Sequence, residues 1–288
     1  MMISVISTLY KGNKYVKQLQ KMVEANAKIL KIKHDVDVEL ILVNDYPNEE
    51  IELYEKTSKH YTVKVIMNSV NSGIHVSRVK GIAASVGEFI LILDQDDKIK
   101  DVFLLSQYEK LRVHGDIVVC NGIKELHGVD KVIYHDKLKH NLVNCKEVYL
   151  MAANQIVSPG QCLIKKAAIP CAWIENPLNK NGSDDLFLWL LILNSGIRFK
   201  TNREQLYIHT MTGENLSDDL KNMLSSDNEM LDIAAKNNLL SMNDIKKRRR
   251  LILFLKSTKG EKNSALMKIF MYLKNIDIVL IKIVAYYI

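Results

Sequence analysis

Proline and cysteine are scarce in this chain, four of each among 288 residues. So few prolines, with no low-complexity tract, leave no place for a long linker. The cysteines, Cys120, Cys145, Cys162 and Cys171, form no Cys-x-x-Cys pair and have no histidine cluster beside them. That argues against a zinc site and a disulfide scaffold, and fits free thiols in a reduced cytosol. No stretch of 18 or more residues is free of charge, because Lys268, Lys274, Asp277 and Lys282 interrupt the most apolar segment. A membrane-spanning helix is therefore not expected. The start, Met1 to Ile6, has no basic leader before its apolar run, so no signal peptide is expected there.

What is present is ordinary globular material, 48% apolar and 25% charged, which excludes disordered and collagen-like classes. The net charge of +7 is unevenly placed. Ser241 to Ile288 holds eleven basic and three acidic residues, whereas residues 1 to 240 hold 29 basic and 30 acidic ones. A near-neutral body with a basic tail does not suit a protein that wraps nucleic acid over its whole surface. The basic run also lacks the aromatic-rich sheet motif of RNA binders.

The first hundred residues alternate between strand and helix patterns. Strands are expected at Ile3–Ser7, Val38–Val43, Val63–Met67 and Glu88–Leu93, with helices at Asn13–Ile32, Pro47–His60 and Val76–Val86. This alternation implies a parallel, doubly wound sheet that binds ligands at the carboxyl ends of its strands. Beyond it come a helix at Val102–Val113, strand-like runs at Ile117–Val119, Val132–Tyr134 and Leu206–His209, and an apolar helix at Leu186–Asn194. Three further helices are expected at Asp218–Asn237, Met242–Lys256 and Ala265–Ile288.

The fourth strand runs straight into Asp94, Gln95, Asp96 and Asp97. Three carboxylates this close repel one another unless they are solvated or share a divalent cation. Such a cation would bridge diphosphate oxygens and neutralise a leaving group. The plainer alternative is helix capping by Asp97 or Asp101.

These residues resemble the inverting nucleotide-sugar glycosyltransferases of family 2. The matches are Ser4 to Tyr10, Leu42 to Asp45, Asn71 to Ile74 with Arg78, Gly81, Gly87 and Glu88, and Leu93 to Asp97. Later ones are Gly182 to Leu186, Tyr207 to His209, and Asn215 to Ser217. The resemblance implies an α/β fold of the GT-A type: a Rossmann-like, mostly parallel central sheet flanked by helices, here with a C-terminal helical, basic extension. It divides the chain into a nucleotide-sugar-binding half (1–100), an acceptor-binding half (101–217) and the extension (218–288).

The resemblance also assigns roles. Thr8, Tyr10, Asp45, Asn71, Gly73, Arg78, Asp94 and Gln95 would hold the donor nucleotide. Tyr10 would stack on uracil, worth about 1–3 kcal/mol, and Asp45 would accept the uracil N3 hydrogen. Arg78 would pair with the diphosphate or brace the aspartates. Asp96, Asp94 and His209 would hold Mn2+ or Mg2+. Asp185, registered on Leu188-Trp189-Leu190, would be the catalytic base, with Asp184 where the family usually has Glu. Bland readings stand beside these: an Asx turn at Asp45, a surface Arg78, a structural His209, and helix capping by Asp184, Asp185 and Ser183. The segment Asn154 to Gln161 is polar and turn-rich, as an acceptor loop would be. Trp173 and Trp189 suit core packing better than sugar stacking.

The expected enzyme is a metal-dependent inverting hexosyltransferase. It would move a sugar from a UDP-sugar to a hydroxyl of a glycan acceptor, lipid-linked, at the cytoplasmic face of the membrane. The alternatives are a non-catalytic nucleotide-sugar-binding protein and a nucleotidyltransferase. The latter would need a Gly-rich basic loop after the first strand, and Ser7 to Gly12 is not one. Lys246 to Arg250, followed by amphipathic helices, has the signature of a peripheral anchor on anionic lipid, at about 1 kcal/mol per basic residue. A helix packed on the body or a homo-oligomer contact is the competing use.

Overall fold

A computed structural model describes residues 1–113, 115–126, 129–211, 219–259 and 264–287. Its strands are β1 (Met2–Leu9), β2 (Asp37–Asn44), β3 (Tyr61–Met67), β4 (Phe89–Ile92), β5 (Lys98–Ile99), β6 (Ile117–Leu126), β7 (Val129–Val132), β8 (Cys162–Lys165) and β9 (Phe199–Thr210). Its α-helices are α1 (Asn13–His34), α2 (Ile74–Ala84), α3 (Phe103–Leu111), α4 (Lys137–Asn141), α5 (Lys146–Met151), α6 (Cys171–Glu175), α7 (Asp184–Asn194), α8 (Leu220–Lys236), α9 (Met242–Lys259), α10 (Ala265–Lys274) and α11 (Ile276–Tyr287).

The described strands form one sheet in the order β3-β2-β1-β4-β8-β6-β9-β5, with β7 paired to β6. The first half is parallel, as the alternation of strands and helices predicts. The second half is mixed: β8 runs antiparallel to both β4 and β6, and β5 antiparallel to β9. Strands β6 and β9 run parallel, with helix α7 among the elements that connect them.

The strands read as unbroken apolar runs because both faces of the sheet are covered. Ile3 and Val5 of β1 and Leu40 and Leu42 of β2 pack with α1 and α3. Ile6, Ile41 and Val43, pointing the other way, join the core beneath α7, α8 and α9. Helix α2 lies almost on the sheet: a Cβ on Gly81 would come within 2.4 Å of Ile6 Cγ2. Both tryptophans are fully buried in this second core, so neither offers a sugar-stacking face.

Two expected helices differ in the structure. Pro47–His60 is not a helix. Its backbone groups are satisfied by side-chain amides instead: Asn44 Nδ2 donates to Glu49 O, Asn13 takes Glu50 O and Glu52 N, and Gln20 takes Tyr54 N, Glu55 N and Glu55 O. Side-chain amide bonds of this kind compete directly with the helical ladder. The expected single helix over Ala265–Ile288 is broken at Asn275, whose N–H and side-chain amide both donate to Met271 O.

Candidate active site

Parallel register places the ends of β1, β2 and β4 side by side, since Leu9 pairs with Asn44 and Ile6 with Ile92. The candidate residues that follow these strands therefore share one edge of the sheet. Thr8 is half-buried at the end of β1. Tyr10 is 46% exposed and meets Tyr46 edge to face at 5.3 Å. Lys11 holds a left-handed backbone (φ 50°) and sets its ammonium near both rings, at 5.7 and 5.4 Å. Gln95 clasps the loop from below, accepting from Tyr10 N at 3.0 Å and donating to Tyr10 O at 3.4 Å. The result is a half-exposed aromatic platform with a cation beside it. Tyr46 was not among the residues marked from sequence, although it directly follows Asp45.

Asp45 is buried and its carboxylate organises the loop before α2. Oδ1 accepts from Asn68 Nδ2 at 2.8 Å and Ser72 N at 2.7 Å, and Oδ2 from Gly73 N at 2.9 Å. The Asx turn foreseen for Asp45 belongs to Asn44. Two carboxylate oxygens have about four acceptor sites, so one remains on Oδ2. Asn71 is exposed and accepts from the same Gly73 N–H at 3.2 Å. Gly73 sits at φ 86°, where a side chain would be strained and would meet Asn181 Oδ1 at 3.1 Å. Asn181 Oδ1 itself accepts from Ile74 N at 3.0 Å, tying the loop before α7 to the start of α2.

Arg78 is buried rather than on the surface. Its Nη2 donates to Asp94 Oδ1 and its Nη1 to Asp184 Oδ2, both at 2.5 Å. Burial opposes its charge, but Asp184, Asp94 and Asp185 outweigh that and hold it firmly protonated. The other Asp94 oxygen accepts from Ser158 Oγ at 2.9 Å. One guanidinium thus joins the turn after β4 to the start of α7.

Helix α7 begins with two acids on different errands. Asp184 faces Arg78, and its carbonyl takes the Trp173 indole N–H at 2.7 Å. Asp185 turns elsewhere: Oδ2 accepts from Asn154 Nδ2 at 2.7 Å and Oδ1 from Leu186 N at 2.6 Å. Burial raises the Asp185 carboxyl to about 7, with Asp184 adding to the rise and Arg78 opposing it. Ser183 stands at the N-cap of this helix, but its hydroxyl makes no capping bond. It donates to Asp227 Oδ1 at 2.7 Å, and Asp227 Oδ2 is gripped by Arg248 Nε and Nη2 at 3.1 and 2.5 Å. Arg248 also donates to Tyr149 O at 2.7 Å.

Asp97 is fully buried and clamps β9 rather than capping a helix. It accepts from the Tyr207 hydroxyl, from His209 Nδ1 at 3.0 Å and from Thr210 N at 3.1 Å. Burial lowers the proton affinity of His209, but Asp97 more than reverses this. Asp96 is different. Its carboxylate has no side-chain partner among the described residues, and burial, then Asp97 and Asp94, raise it to about 6. Among the described residues, no group of three or more His, Cys, Asp or Glu side chains is arranged to hold a metal ion. The matched segment Asn215 to Ser217 lies outside the described residues.

The loop Asn154 to Gln161, which carried no chemistry in the sequence, supplies partners to both halves of the site, Asn154 to Asp185 and Ser158 to Asp94. The basic run is largely paired within the chain. Besides Arg248 with Asp227, Lys247 meets Glu147, Arg249 meets Asp232 and Arg250 meets Asp277. Among the described residues, no helix is long and apolar enough to cross a membrane.

Comparison with known proteins bears on this arrangement. The family model described as Glycosyl transferase family 2 matches residues 4–165. A cholesterol galactosyltransferase of Borreliella burgdorferi is 29% identical over 86 residues, 30% of this chain and 24% of that protein. The putative teichuronic acid biosynthesis glycosyltransferase TuaG of Bacillus subtilis is 24% identical over 194 residues, 62% of this chain and 69% of that protein. The match covers only about a quarter to a third of the first curated relatives, 24% of the galactosyltransferase and 34% of the putative glycosyltransferase EpsH of Bacillus subtilis. Among solved structures, residues 1–349 of S. aureus TarS in complex with UDP-GlcNAc align with a TM-score of 0.62 at 15% identity, covering 97% of this chain and 82% of that one. The likeness shows the architecture to be the GT-A fold.

Proposed function

The chain belongs to glycosyl transferase family 2, and from that premise we propose that it transfers a sugar from a UDP-sugar to a glycan hydroxyl with inversion. The observation that carries the reading is the Arg78 bridge, which ties the aspartate turn after β4 to the acids at the head of α7. In the proposed reaction the acceptor oxygen attacks the anomeric carbon, the bond to the UDP oxygen breaks, and the acceptor proton passes to Asp185. A carboxyl raised to about 7 suits that task, because it is both ionised and basic near neutral pH. Asp184, engaged by Arg78, holds the guanidinium in place. Tyr10 and Tyr46 give the uracil a stacking face, Lys11 stands where phosphate charge arrives, and the remaining Oδ2 acceptor site of Asp45 is open to the uracil N3–H.

A divalent cation fits Asp96 and His209. The carboxylate of Asp96 lacks a side-chain partner among the described residues, and Asp97 occupies His209 Nδ1, the arrangement that leaves Nε2 as a metal ligand. When bound, Mn2+ or Mg2+ would supply charge neutralisation on the departing diphosphate. One carboxylate and one imidazole suit an ion that takes its other ligands from phosphate and water. Asp94, held by Arg78 and Ser158, is the less available of the expected ligands.

The acceptor is proposed to be a surface glycan or its lipid-linked precursor, made at the cytoplasmic face of the membrane. The teichuronic acid and galactosyltransferase relatives support this class. The test is Asp185→Asn, assayed for UDP release from a panel of UDP-sugars with manganese and for UDP affinity by calorimetry. Turnover should fall by about 10²-fold or more with UDP affinity retained; normal turnover sinks the assignment of the base.

A further inference from the structure

We propose that Lys124 and Lys131, on the strand pair β6 and β7, bind a phosphate or carboxylate group carried by the acceptor glycan. The proposal rests on the transfer reading above and specifies its acceptor class as anionic.

Register brings these cations into one row. Lys124 of β6 lies opposite His209 of β9 on one side and opposite Lys131 of β7 on the other. Residues paired in this way share a face of the sheet, so both lysines stand on the face that carries Tyr207 and His209. Their charges act on one another. Lys124 opposes the charge on His209, and burial, then Lys131, push the Lys124 ammonium below the usual lysine range. From α4, Lys139 brings a third ammonium: burial lowers it, Asp136 opposes that and Lys124 adds to it. Neither Lys124 nor Lys131 has a hydrogen-bond or ion-pair partner among the described residues. The acids of this strand pair, Glu125 and Asp130, lie opposite each other on the other face, where Glu125 meets Lys98 at 2.9 Å.

Like charges directly opposite across strands destabilise a sheet. An oxyanion between them reverses the sign, because charge-assisted bonds to phosphate or carboxylate are among the strong ones a protein makes. Lys124 is half-buried and Lys131 exposed, so the pair offers one partly desolvated cation and one open to solvent. Position favours the acceptor over the donor. The nucleotide edge is built by β1, β2 and β4, and the diphosphate there meets Lys11 and the cation proposed at Asp96 and His209. Neighbouring strands are about 4.8 Å apart, so Lys131, two strands out, stands about 10 Å from His209. An anion held between the lysines is therefore outward of the leaving group, in the half of the chain that follows the aspartate turn.

The test is a ligand-observed NMR titration of the full chain, saturated with UDP, with glucose 6-phosphate, glucuronate, glucose and inorganic phosphate. UDP fills the diphosphate site, so the sugars report on the acceptor side. Both sugar anions should bind saturably, and glucose at least about tenfold more weakly. Lys124→Met should weaken anion binding by about tenfold, Lys131→Met by about two- to fivefold, and Lys124→Arg should retain most of it. UDP affinity, by calorimetry, should hold in all three variants. Melting temperature should not fall in the methionine variants, since methionine keeps an apolar stem and removes a like charge. UDP binding by the wild type reports on the transfer reading and the titration on the lysines, so each can fail alone. No saturable binding of either sugar anion, equal binding of glucose, or undiminished binding by both methionine variants would overturn the proposal. So would a loss of UDP affinity in Lys124→Met, which gives the lysine to the diphosphate, or inorganic phosphate binding as tightly as glucose 6-phosphate, which makes this a free-ion site.

Discussion

Asn154→Ala isolates the tuning of Asp185. Asn154 Nδ2 donates to Asp185 Oδ2 at 2.7 Å, a bond made to the charged form of the acid. Removing it destabilises the carboxylate relative to the protonated acid, so the pKa must rise. A hydrogen bond to a charged group contributes about 1.5 kcal/mol at the lower end of its range, and one pH unit corresponds to about 1.4 kcal/mol. The expected shift is therefore about one unit upward from a value of about 7. A base is active when deprotonated, so kcat/KM rises with pH through this value to a plateau. At pH 7 the ionised fraction falls from about one half to about one tenth, a loss of about fivefold. At pH 9 both enzymes are mostly ionised and the difference nearly vanishes. The assay is UDP release across this range at subsaturating UDP-sugar. An unshifted limb, a limb moved to lower pH, or a loss that persists at pH 9 would refute the assignment of Asn154 as the partner that tunes the base.

Two further outcomes are expected. Arg248→Met leaves Asp227 buried without its cation and should cost about 3–5 kcal/mol, a fall of roughly 10 °C in melting temperature, whereas Arg249→Met, on an exposed pair, should move it by about 1 °C or less; equal shifts by calorimetry would deny that Arg248 is a structural brace. Asp96→Asn should abolish the gain in UDP affinity that manganese confers while leaving metal-free UDP binding intact, and exhaustive chelation should stop wild-type turnover; turnover that survives chelation removes the metal assignment.

The parallel half of the fold is legible in the sequence because each strand there is a continuous apolar run bounded by polar turns, and β1 and β2 appear within two residues of their expected ends. The failed helix at Pro47–His60 shows what periodicity omits. Its acidic first turn and leading proline satisfy local rules, yet Asn13 and Gln20, on a helix about 35 residues earlier, claim the same backbone groups. The break at Asn275 is similar. Asparagine is tolerated within helices, and nothing nearby in sequence announces that its amide will fold back on Met271 while its carbonyl meets Arg250.

The candidate residues were visible one by one, but their partners were not. Asp94 and Asp184 stand 90 residues apart, and only the fold brings both to Arg78. Asn154 and Ser158 carry no signature, since an amide and a hydroxyl acquire meaning only from the carboxylates they face. The basic run misleads for the same reason. Five consecutive cations look like one lipid-binding patch, but a helix turns each by about 100° from the last. Arg248 therefore enters the core beneath Ser183 while its neighbours find separate acids on α5, α8 and α11. The position of Asp185 thus depends on a residue 63 places away, in a segment whose charge alone suggested a surface role. Loss of that brace should reach the active site through the head of α7 before it reaches the sheet, because Ser183 is the residue that Asp227 holds.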